Sequence, residues 1–304
     1  MSLLELWSAA GFIRSMEQAR TIALSHARRA PRWTAEIAGW ITMVLLVLGI
    51  HSAVAKPFYI PSESMMPTLQ VGDRLVVSKY PYGWSYASAS FHMLPPFQGR
   101  LFGRMPARGD IVLVDRKDGA GTREDLIKRV VGLPGDTVQM VDGSLRLNSK
   151  PVARQPLPGR LLPVDGNFRC DPNDPDPERA FPGFAGARVT GKDGKLYCRL
   201  PVYREVLPDG RSYEVVDFGR SSADDTDPYT VPAGHLFLLG DNRDNSADSR
   251  VPAAFGGLGG AVPIESIGGR AEFSTFSLKG EASWDPLTWP ADFRRGRSWK
   301  SLRP

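Results

Sequence analysis

Hydrophobic positions along the chain form one long run near the N-terminus and then many short runs. Between residues 37 and 54 no side chain carries a formal charge at neutral pH. Beyond Lys56 the mainly apolar runs last only four to six residues and are bounded by Gly, Pro or Asp; they are Arg74–Lys79, Ile111–Val114, Leu126–Val131 and Thr137–Val141. This pattern predicts one long helix followed by a body of short β-strands.

The long run predicts a transmembrane helix, which we assign to residues 37–55. Its eighteen uncharged residues, at about 1.5 Å each, extend ~27 Å, close to the hydrocarbon thickness of a bilayer. No polar stripe at helical spacing marks it as a helix packed on a protein core. A cleavable secretory signal is the alternative, because Ala53-Val54-Ala55 has the small-x-small form of a cleavage site. The apolar run and the arm before it are both longer than such a signal requires, which favours an uncleaved anchor.

The charges that flank this helix predict its orientation. Five arginines lie within residues 1–36, whereas only Lys56 closely follows the apolar run. By the positive-inside rule, the arm of residues 1–36 is cytoplasmic and the chain from residue 56 onward is extracytoplasmic.

Composition favours a β-rich body. Of the 304 residues, 31 are Gly and 26 are Pro, which argues against a helical bundle and for short strands joined by turns. Residues 141–145 and 203–216 each predict a hairpin with a Gly-containing turn. From Pro151 to about Pro182 the chain is rich in Pro, Asp and Gly, so we expect a loop-rich insertion there.

Charge, histidine and cysteine content narrow the function further. The net charge is +5, of which residues 1–36 carry +2 and the remainder carries +3. Positive and negative charges are thus nearly balanced beyond residue 36, which argues against a nucleic-acid-binding surface. The four histidines lie far apart without HExxH spacing, so we predict no metal site. Cys170 and Cys198 are the only cysteines and are expected to pair outside the cytoplasm; two unpaired buried thiols are the alternative.

One aromatic stretch allows two interpretations. Residues 82–104 contain many aromatic side chains and no acidic one, so this stretch either enters a membrane interface or packs in the core. Trp284, Trp289 and Trp299 leave the same two possibilities open.

The segment Pro61–Leu69 contains two candidate nucleophiles, Ser62 and Ser64. A serine needs a base, yet His92 and His235, the only histidines beyond the apolar run, lie in no triad-like motif. A lysine base is the remaining common option, but the S-x-x-K spacing is absent.

Two other segments could supply the missing groups. Lys128 lies within a β-rich run whose apolar neighbours could desolvate it and leave the free amine that a base requires, although a lone lysine in a strand is usually a solvated edge residue. Gly240–Arg250 is dense in polar side chains after an apolar strand, which indicates either a turn or a hydrogen-bond network.

These segments resemble, in the same order along the chain, the sequence boxes of bacterial type I signal peptidase, a membrane-anchored Ser-Lys protease. The resemblance covers about residues 35 to 276 apart from much of the insertion. The matching stretches are Pro61–Leu69, Gly72–Lys79, Arg108–Val112, Ile127–Asp136, Gly240–Arg250 and Val262–Ala271. Two departures are Leu126, where many members have Tyr, and the Gly-rich residues 255–260, which replace a short aromatic turn.

The resemblance implies a role for each polar residue of the site. Ser64 would be the nucleophile and Lys128 its general base. The Ser62 hydroxyl and the Ser64 backbone amide would form the oxyanion hole, and Ser246 would orient Lys128. Asp248 and Arg250 would form a supporting ion pair that holds the last box.

The resemblance also implies the fold and the substrate pocket. The fold would be mostly β, with an antiparallel catalytic domain (residues 56–142 and 234–304), a β-rich insertion (residues 143–233) and one N-terminal transmembrane helix. No metal or organic cofactor is implied. Shallow substrate pockets would be lined by Phe58, Ile60, Met65, Leu69 and Ile127, with Leu126 at one wall.

The implied reaction is cleavage of signal peptides from exported preproteins after an Ala-x-Ala-like site. The partners would be preproteins and the lipid bilayer, with no nucleic acid, and the chain would be a monomer in the bacterial inner membrane with a periplasmic catalytic domain. A self-cleaving Ser-Lys protease of the SOS-repressor kind is the alternative, against which the apolar helix argues. A membrane-anchored binding protein that kept the fold without activity is a further alternative, against which intact Ser64 and Lys128 argue.

Overall fold

The computed structural model describes residues 32–89, 94–117, 121–176, 179–280 and 289–303. Most of the predicted cytoplasmic arm, together with Trp284, lies outside these residues. The chain divides into two compact units, one that ends at Leu48 and one that runs from Gly49 to Pro304.

Helix α1, Arg32–Ala53, contains the long apolar run. It is the one helix among the described residues that is long and apolar enough to cross a membrane, and none of its apolar window is buried. It begins five residues before the predicted boundary at Ile37, because Glu36 is itself a good helix former and does not interrupt the backbone. It ends where the amide of Val54 still donates to the carbonyl of Ile50 at 2.8 Å and the chain enters a strand.

Among the described residues, eighteen strands and a short second helix, α2 (Trp289–Asp292), supply the remaining regular structure apart from single 3₁₀ turns. The strands are β1 (Ala55–Tyr59), β2 (Asp73–Ser78), β3 (Ile111–Lys117), β4 (Arg123–Gly132), β5 (Thr137–Val141), β6 (Ser144–Leu147), β7 (Lys150–Pro151), β8 (Ala153–Pro156), β9 (Arg160–Pro163), β10 (Arg188–Thr190), β11 (Leu196–Leu200), β12 (Val202–Val206), β13 (Ser212–Val216), β14 (Tyr229–Thr230), β15 (His235–Leu239), β16 (Val262–Pro263), β17 (Ile267–Ser277) and β18 (Lys300–Ser301).

The largest sheet unites strands from the two ends of the second unit. Its order is β1-β2-β17-β3-β4-β15-β16, with β18 paired to β17. All these pairs are antiparallel. The prediction of a mostly β, antiparallel chain with one apolar N-terminal helix is therefore confirmed. The sheet brings the segment that follows β1 close to β4 and β15, where the candidate residues lie.

The described residues between β4 and β15 form three smaller sheets. Their orders are β14-β5-β6-β7, β13-β12-β8 and β10-β11-β9. Both predicted hairpins are present, as β5–β6 and β12–β13. The stretch expected to be loop-rich contains β8 and β9 as well as long connections, and a disulfide joins Cys170 to Cys198.

The aromatic stretch after β2 is partly buried and partly exposed. Tyr82 is buried, whereas Leu101 and Phe102 are exposed to 68% and 83%. Arg100 fixes this stretch to the large sheet, since its guanidinium donates to the carbonyls of Ile264 and Ile267 at 2.7 and 2.8 Å. Core packing therefore holds for Tyr82, and entry of the exposed part into a membrane interface stays a prediction.

Candidate active site

The connection between β1 and β2 carries the two candidate serines. Ser64 is half-buried and Ser62 is exposed, and their hydroxyl oxygens lie 3.4 Å apart. The amide of Met66 donates to the carbonyl of Glu63 at 3.0 Å, which closes a turn around Ser64. The turn therefore presents both hydroxyl groups from one short stretch of backbone.

Lys128 lies in β4, between β3 and β15, and its ammonium nitrogen reaches the candidate nucleophile. Nζ is 3.0 Å from the Ser64 Oγ and 3.2 Å from the Ile127 carbonyl oxygen. Lys128 is only 3% exposed, and burial lowers the pKa of its amine to about 8, while the nearby Asp248 carboxylate acts in the opposite direction. Because the neutral amine is accessible near pH 8, this lysine can accept a proton from Ser64.

The segment after β15, which matches the last sequence box, packs directly behind the serine. The amide of Asn242 donates to the Ser64 carbonyl at 3.0 Å. A Cβ atom at Gly240 would lie 2.5 Å from the same carbonyl oxygen and 2.1 Å from the Ser246 Oγ, so only glycine allows this approach.

Asp248 and Arg250 hold this segment together. The guanidinium of Arg250 donates to both carboxylate oxygens of Asp248, at 3.0 and 2.9 Å, and the Gly240 amide donates to the same carboxylate at 2.9 Å. Both side chains are fully buried, and these contacts lower the pKa of Asp248 against the effect of burial. Arg250 and the Gly240 amide thus fix the position of the Asp248 carboxylate, and the negative charge of this carboxylate acts on Lys128.

Ser246 does not make the hydrogen bond to Lys128 that the resemblance implies. Its hydroxyl is buried and has no hydrogen-bond partner among the described residues, whereas Lys128 Nζ is bonded to Ser64 and to the Ile127 carbonyl. The structure therefore brings Ser246 near Gly240 but forms no Ser246–Lys128 hydrogen bond.

A buried network next to Lys128 was not singled out from the sequence. Arg129 forms a two-point ion pair with Asp241, at 2.7 and 2.6 Å, and the Thr68 hydroxyl donates to the same carboxylate at 2.6 Å. Arg129 and Asp241 are at most 2% exposed. In the sequence, the signal for this network was a second basic residue, Arg129, directly after Lys128 in an apolar strand.

Glu63, between the two serines, was also missed. It is 3% exposed, and burial raises the pKa of its carboxyl to about 7, which the positive charge of Arg179 partly opposes. Its sequence neighbours are polar or small, so its burial could not be read from the local pattern.

The residues expected to line the substrate pocket fall into two groups. One hydrophobic cluster contains five of them: Phe58, Ile60, Met65, Leu69 and Ile127. Leu126 packs against a different cluster, with Val112, Val130 and Leu236 among its members. Neighbouring residues of a strand point to opposite faces, so Leu126 and Ile127 contact different clusters. Leu126 therefore packs apart from the five residues of the first cluster.

The Nδ1 atom of His235 lies 2.9 Å from the Ala233 carbonyl oxygen, at the start of β15, and His92 is outside the described part of the chain. Among the described residues, no three His, Cys, Asp or Glu side chains are grouped so that they could hold a metal ion.

Comparison with known proteins gives consistent matches. Residues 33–276 match the family model described as signal peptidase, peptidase S26. The chain is 34% identical over 262 residues to signal peptidase I of Rickettsia typhi, which covers 84% of this chain and 81% of that protein. It is 30% identical over 295 residues to signal peptidase I of Rickettsia bellii strain OSU 85-389, which covers 93% of this chain and 84% of that protein.

A comparison with solved structures found a crystal structure of a signal peptidase I from Enterococcus faecalis V583. The identity is 22%, with 55% of this chain and 97% of that chain covered and a TM-score of 0.26.

Proposed function

The chain belongs to the signal peptidase family, peptidase S26, and from this premise we propose that it is a membrane-anchored Ser-Lys endopeptidase that removes signal peptides from exported preproteins. One observation carries the proposal: the Lys128 amine, whose pKa burial lowers to about 8, lies 3.0 Å from the Ser64 hydroxyl. Serine and lysine are then an activated nucleophile and its base, with no need for histidine.

The proposed reaction begins with a proton transfer. The neutral Lys128 amine takes the Ser64 proton as Oγ attacks the scissile carbonyl carbon. The resulting ammonium protonates the leaving amine, which departs as the new N-terminus of the mature protein. A water molecule, deprotonated by the regenerated amine, then cleaves the ester that joins the signal peptide to Ser64.

The oxyanion of the tetrahedral intermediate needs two donors. The Ser64 backbone amide is one candidate, and the Ser62 hydroxyl, 3.4 Å from the Ser64 Oγ, is the other. Ser62 is exposed, so its hydroxyl can rotate towards a bound substrate. Donors that are aimed at developing charge lower the barrier in a site from which water is excluded.

The Asp248–Arg250 pair supports the base electrostatically. The Asp248 charge favours the protonated state of Lys128, so it limits the fall in pKa that burial alone would cause. The amine therefore changes protonation near neutral pH, where a general base is most effective.

Substrate selection follows from the cluster around Ser64. A preprotein bound as an extended strand directs alternate side chains towards the enzyme, so the residues one and three positions before the cut face the surface. Met65 and Leu69 are fully buried there, and Ile127 and Phe58 are the more accessible members. We propose that these side chains leave room for little more than a methyl group, which selects Ala-x-Ala.

The proposed location is the bacterial inner membrane. Helix α1 would be the single span, the N-terminal arm would be cytoplasmic, and the monomeric catalytic unit would face the periplasm. The arginine asymmetry around the apolar run supports this orientation.

A panel of preproteins tests the proposal. Purified, detergent-solubilised protein is incubated with one preprotein that carries Ala, Ser, Val or Phe at each of the two positions, and the new N-termini are determined by mass spectrometry. We expect cleavage after Ala-x-Ala and rejection of Phe. Equal cleavage of Ala and Phe before the cut would eliminate the small pocket, and no cleavage of any member would eliminate the proposed function.

A further inference from the structure

The insertion, residues 143–233, packs against the nucleophile segment, by which we mean Pro61–Leu69. Met66, two residues after Ser64, is fully buried in a cluster built otherwise from the insertion. That cluster includes Phe168, Phe184 and both cysteines of the disulfide. The nucleophile segment is therefore anchored by a side chain held in the core of the insertion.

The backbone of the insertion also reaches the segment behind Ser64. The amide of Val216, at the end of β13, donates to the Asp241 carbonyl at 2.8 Å, and the amide of Arg243 donates back to the Val216 carbonyl at 2.9 Å. Asn242, between these two residues, uses its own amide to hold the Ser64 carbonyl at 3.0 Å. Residues 241–243 thus form a bridge between the end of β13 and Ser64.

A buried ion pair fixes this bridge from the insertion side. The Glu205 carboxylate in β12 accepts a hydrogen bond from the Arg243 guanidinium at 2.5 Å, and the two side chains are 1% and 2% exposed. Arg243 also donates to the Gly240 carbonyl at 3.3 Å. Arg243 is therefore held from the insertion on one side and from the Gly240 turn on the other.

The ion pair is poorly suited to a purely stabilising role. Glu205 Oε1 and Arg243 Nη1 are buried without hydrogen-bond partners among the described residues. A buried pair with unsatisfied atoms contributes little net stability, because desolvation of both charges offsets their attraction. Its directional contact, in contrast, fixes where residue 243 and its neighbour Asn242 lie.

We propose that the insertion positions the nucleophile for catalysis and that Glu205 is its principal positioning residue, acting through Arg243 and the Asn242 amide on Ser64. This inference rests on the proposed function, since its effect is read in the rate of preprotein cleavage. Without the Glu205 contact, the bridge and the Ser64 carbonyl shift together, and the serine leaves its alignment with Lys128.

The test compares Glu205→Gln with the matched control Glu214→Gln in the intact, detergent-solubilised protein. Glu214 lies in the adjacent strand β13 and forms an ion pair of the same length, 2.5 Å, with Arg160. Its other ion-pair partner among the described residues is Arg204, and both partners lie outside residues 240–250. For Glu205→Gln we expect kcat per folded molecule to fall about 10-fold to 10²-fold with KM nearly unchanged, because misalignment weakens the transition state rather than substrate binding. Glu214→Gln should keep both constants.

The pH profile separates positioning from a change in the base. The charges that act most strongly on Lys128 are those of Asp248, Arg116, Asp241 and Glu124, so the midpoint of the kcat profile should stay near that of the wild type while the plateau falls. Wild-type kcat in folded Glu205→Gln, even with a lower melting temperature, would overturn the inference. If Glu205→Gln does not fold, Glu205→Asp keeps the charge with one methylene group less, and wild-type kcat in that variant would overturn the inference equally.

The wild-type protein separates a failure of the proposed function from a failure of the positioning role alone. If it cleaves no preprotein, the proposed function fails. If it cleaves preprotein while the Glu205 variants match it, only the positioning role fails.

Discussion

Lys128 can accept a proton only when its amine is neutral, and its surroundings decide when that occurs. Burial among apolar strands lowers the pKa of the amine to about 8, and Asp248 limits the shift. A solvated lysine would be protonated almost completely at neutral pH. The burial of this one side chain therefore sets the pH range in which the proposed base can act.

We expect kcat to rise with pH through about 8 and then to level off. Below the pKa the inactive protonated form of Lys128 predominates, so the rate should fall about tenfold for each pH unit below the midpoint. Because burial lowers the folded-state pKa, this midpoint lies near pH 8 and not at the usual lysine value. Single-turnover cleavage of a preprotein between roughly pH 6 and pH 10 measures this. A flat profile with chemistry limiting would contradict a titrating lysine base.

Ser62→Ala should reduce cleavage without abolishing it. The variant loses one oxyanion donor while the Ser64 amide remains, so we expect kcat to fall on the order of 10² to 10³. The exposed position of Ser62 predicts an unchanged melting temperature. A variant with wild-type kcat would show that Ser62 is not an oxyanion donor.

Among the strands, the short apolar runs of the sequence predicted β2, β3, β4 and β5. Strand β5 has the predicted bounds, Thr137–Val141. Strand β4 runs from Arg123 to Gly132, longer than predicted, because its polar first residues form cross-strand ion pairs with Asp115 and Arg116 of β3. Such pairs stabilise a strand that hydrophobic periodicity does not reveal.

The candidate site was predictable only in part. The sequence boxes identified Ser64 and Lys128, but their 3.0 Å contact depends on sheet packing between residues far apart in sequence. The Glu205–Arg243 pair joins strand β12 of a predicted hairpin to the last box, and the local sequence pattern offers no signal for this contact. Charged residues buried by tertiary contacts are the ones that sequence periodicity misses, because a charge is normally read as exposed.

Ile127 and Leu126 lie on opposite faces of β4, so their substitution by alanine should affect cleavage specificity differently. Ile127→Ala should enlarge the cluster beside Ser64 and admit larger residues before the cut, or shift the cut. Leu126→Ala removes a similar volume from the other face and should leave the specificity unchanged. Cleavage of the Ala, Ser, Val and Phe preproteins by both variants measures the difference, and equal changes in specificity would contradict the assignment of faces.

For the whole molecule, the helix and the strand that follows it favour a retained anchor. Ala55 and Lys56 begin β1 and pair with Ser78 and Val77 of β2, so the bond after Ala55 lies within an antiparallel pair. An extended substrate must leave such pairing before a protease can bind it as a strand. We therefore expect the protein to keep its own apolar helix.

Protease added to intact spheroplasts should digest the β-rich unit and leave an N-terminal fragment that contains α1. The arginines before the helix predict this orientation. Immunoblotting against tags at both termini follows the two parts. A β-rich unit that stays protected until the membrane is lysed would reverse the topology and contradict a role in secretion.

The most direct test of the Ser64–Lys128 mechanism is cleavage of one Ala-x-Ala preprotein by the wild type, Ser64→Ala and Lys128→Ala, each shown to be folded by its thermal unfolding. Each substitution removes one half of a nucleophile–base pair, so we expect both variants to lose activity to the background level while the wild type releases the mature N-terminus. Near-wild-type turnover by folded Lys128→Ala, or by folded Ser64→Ala, would contradict the mechanism.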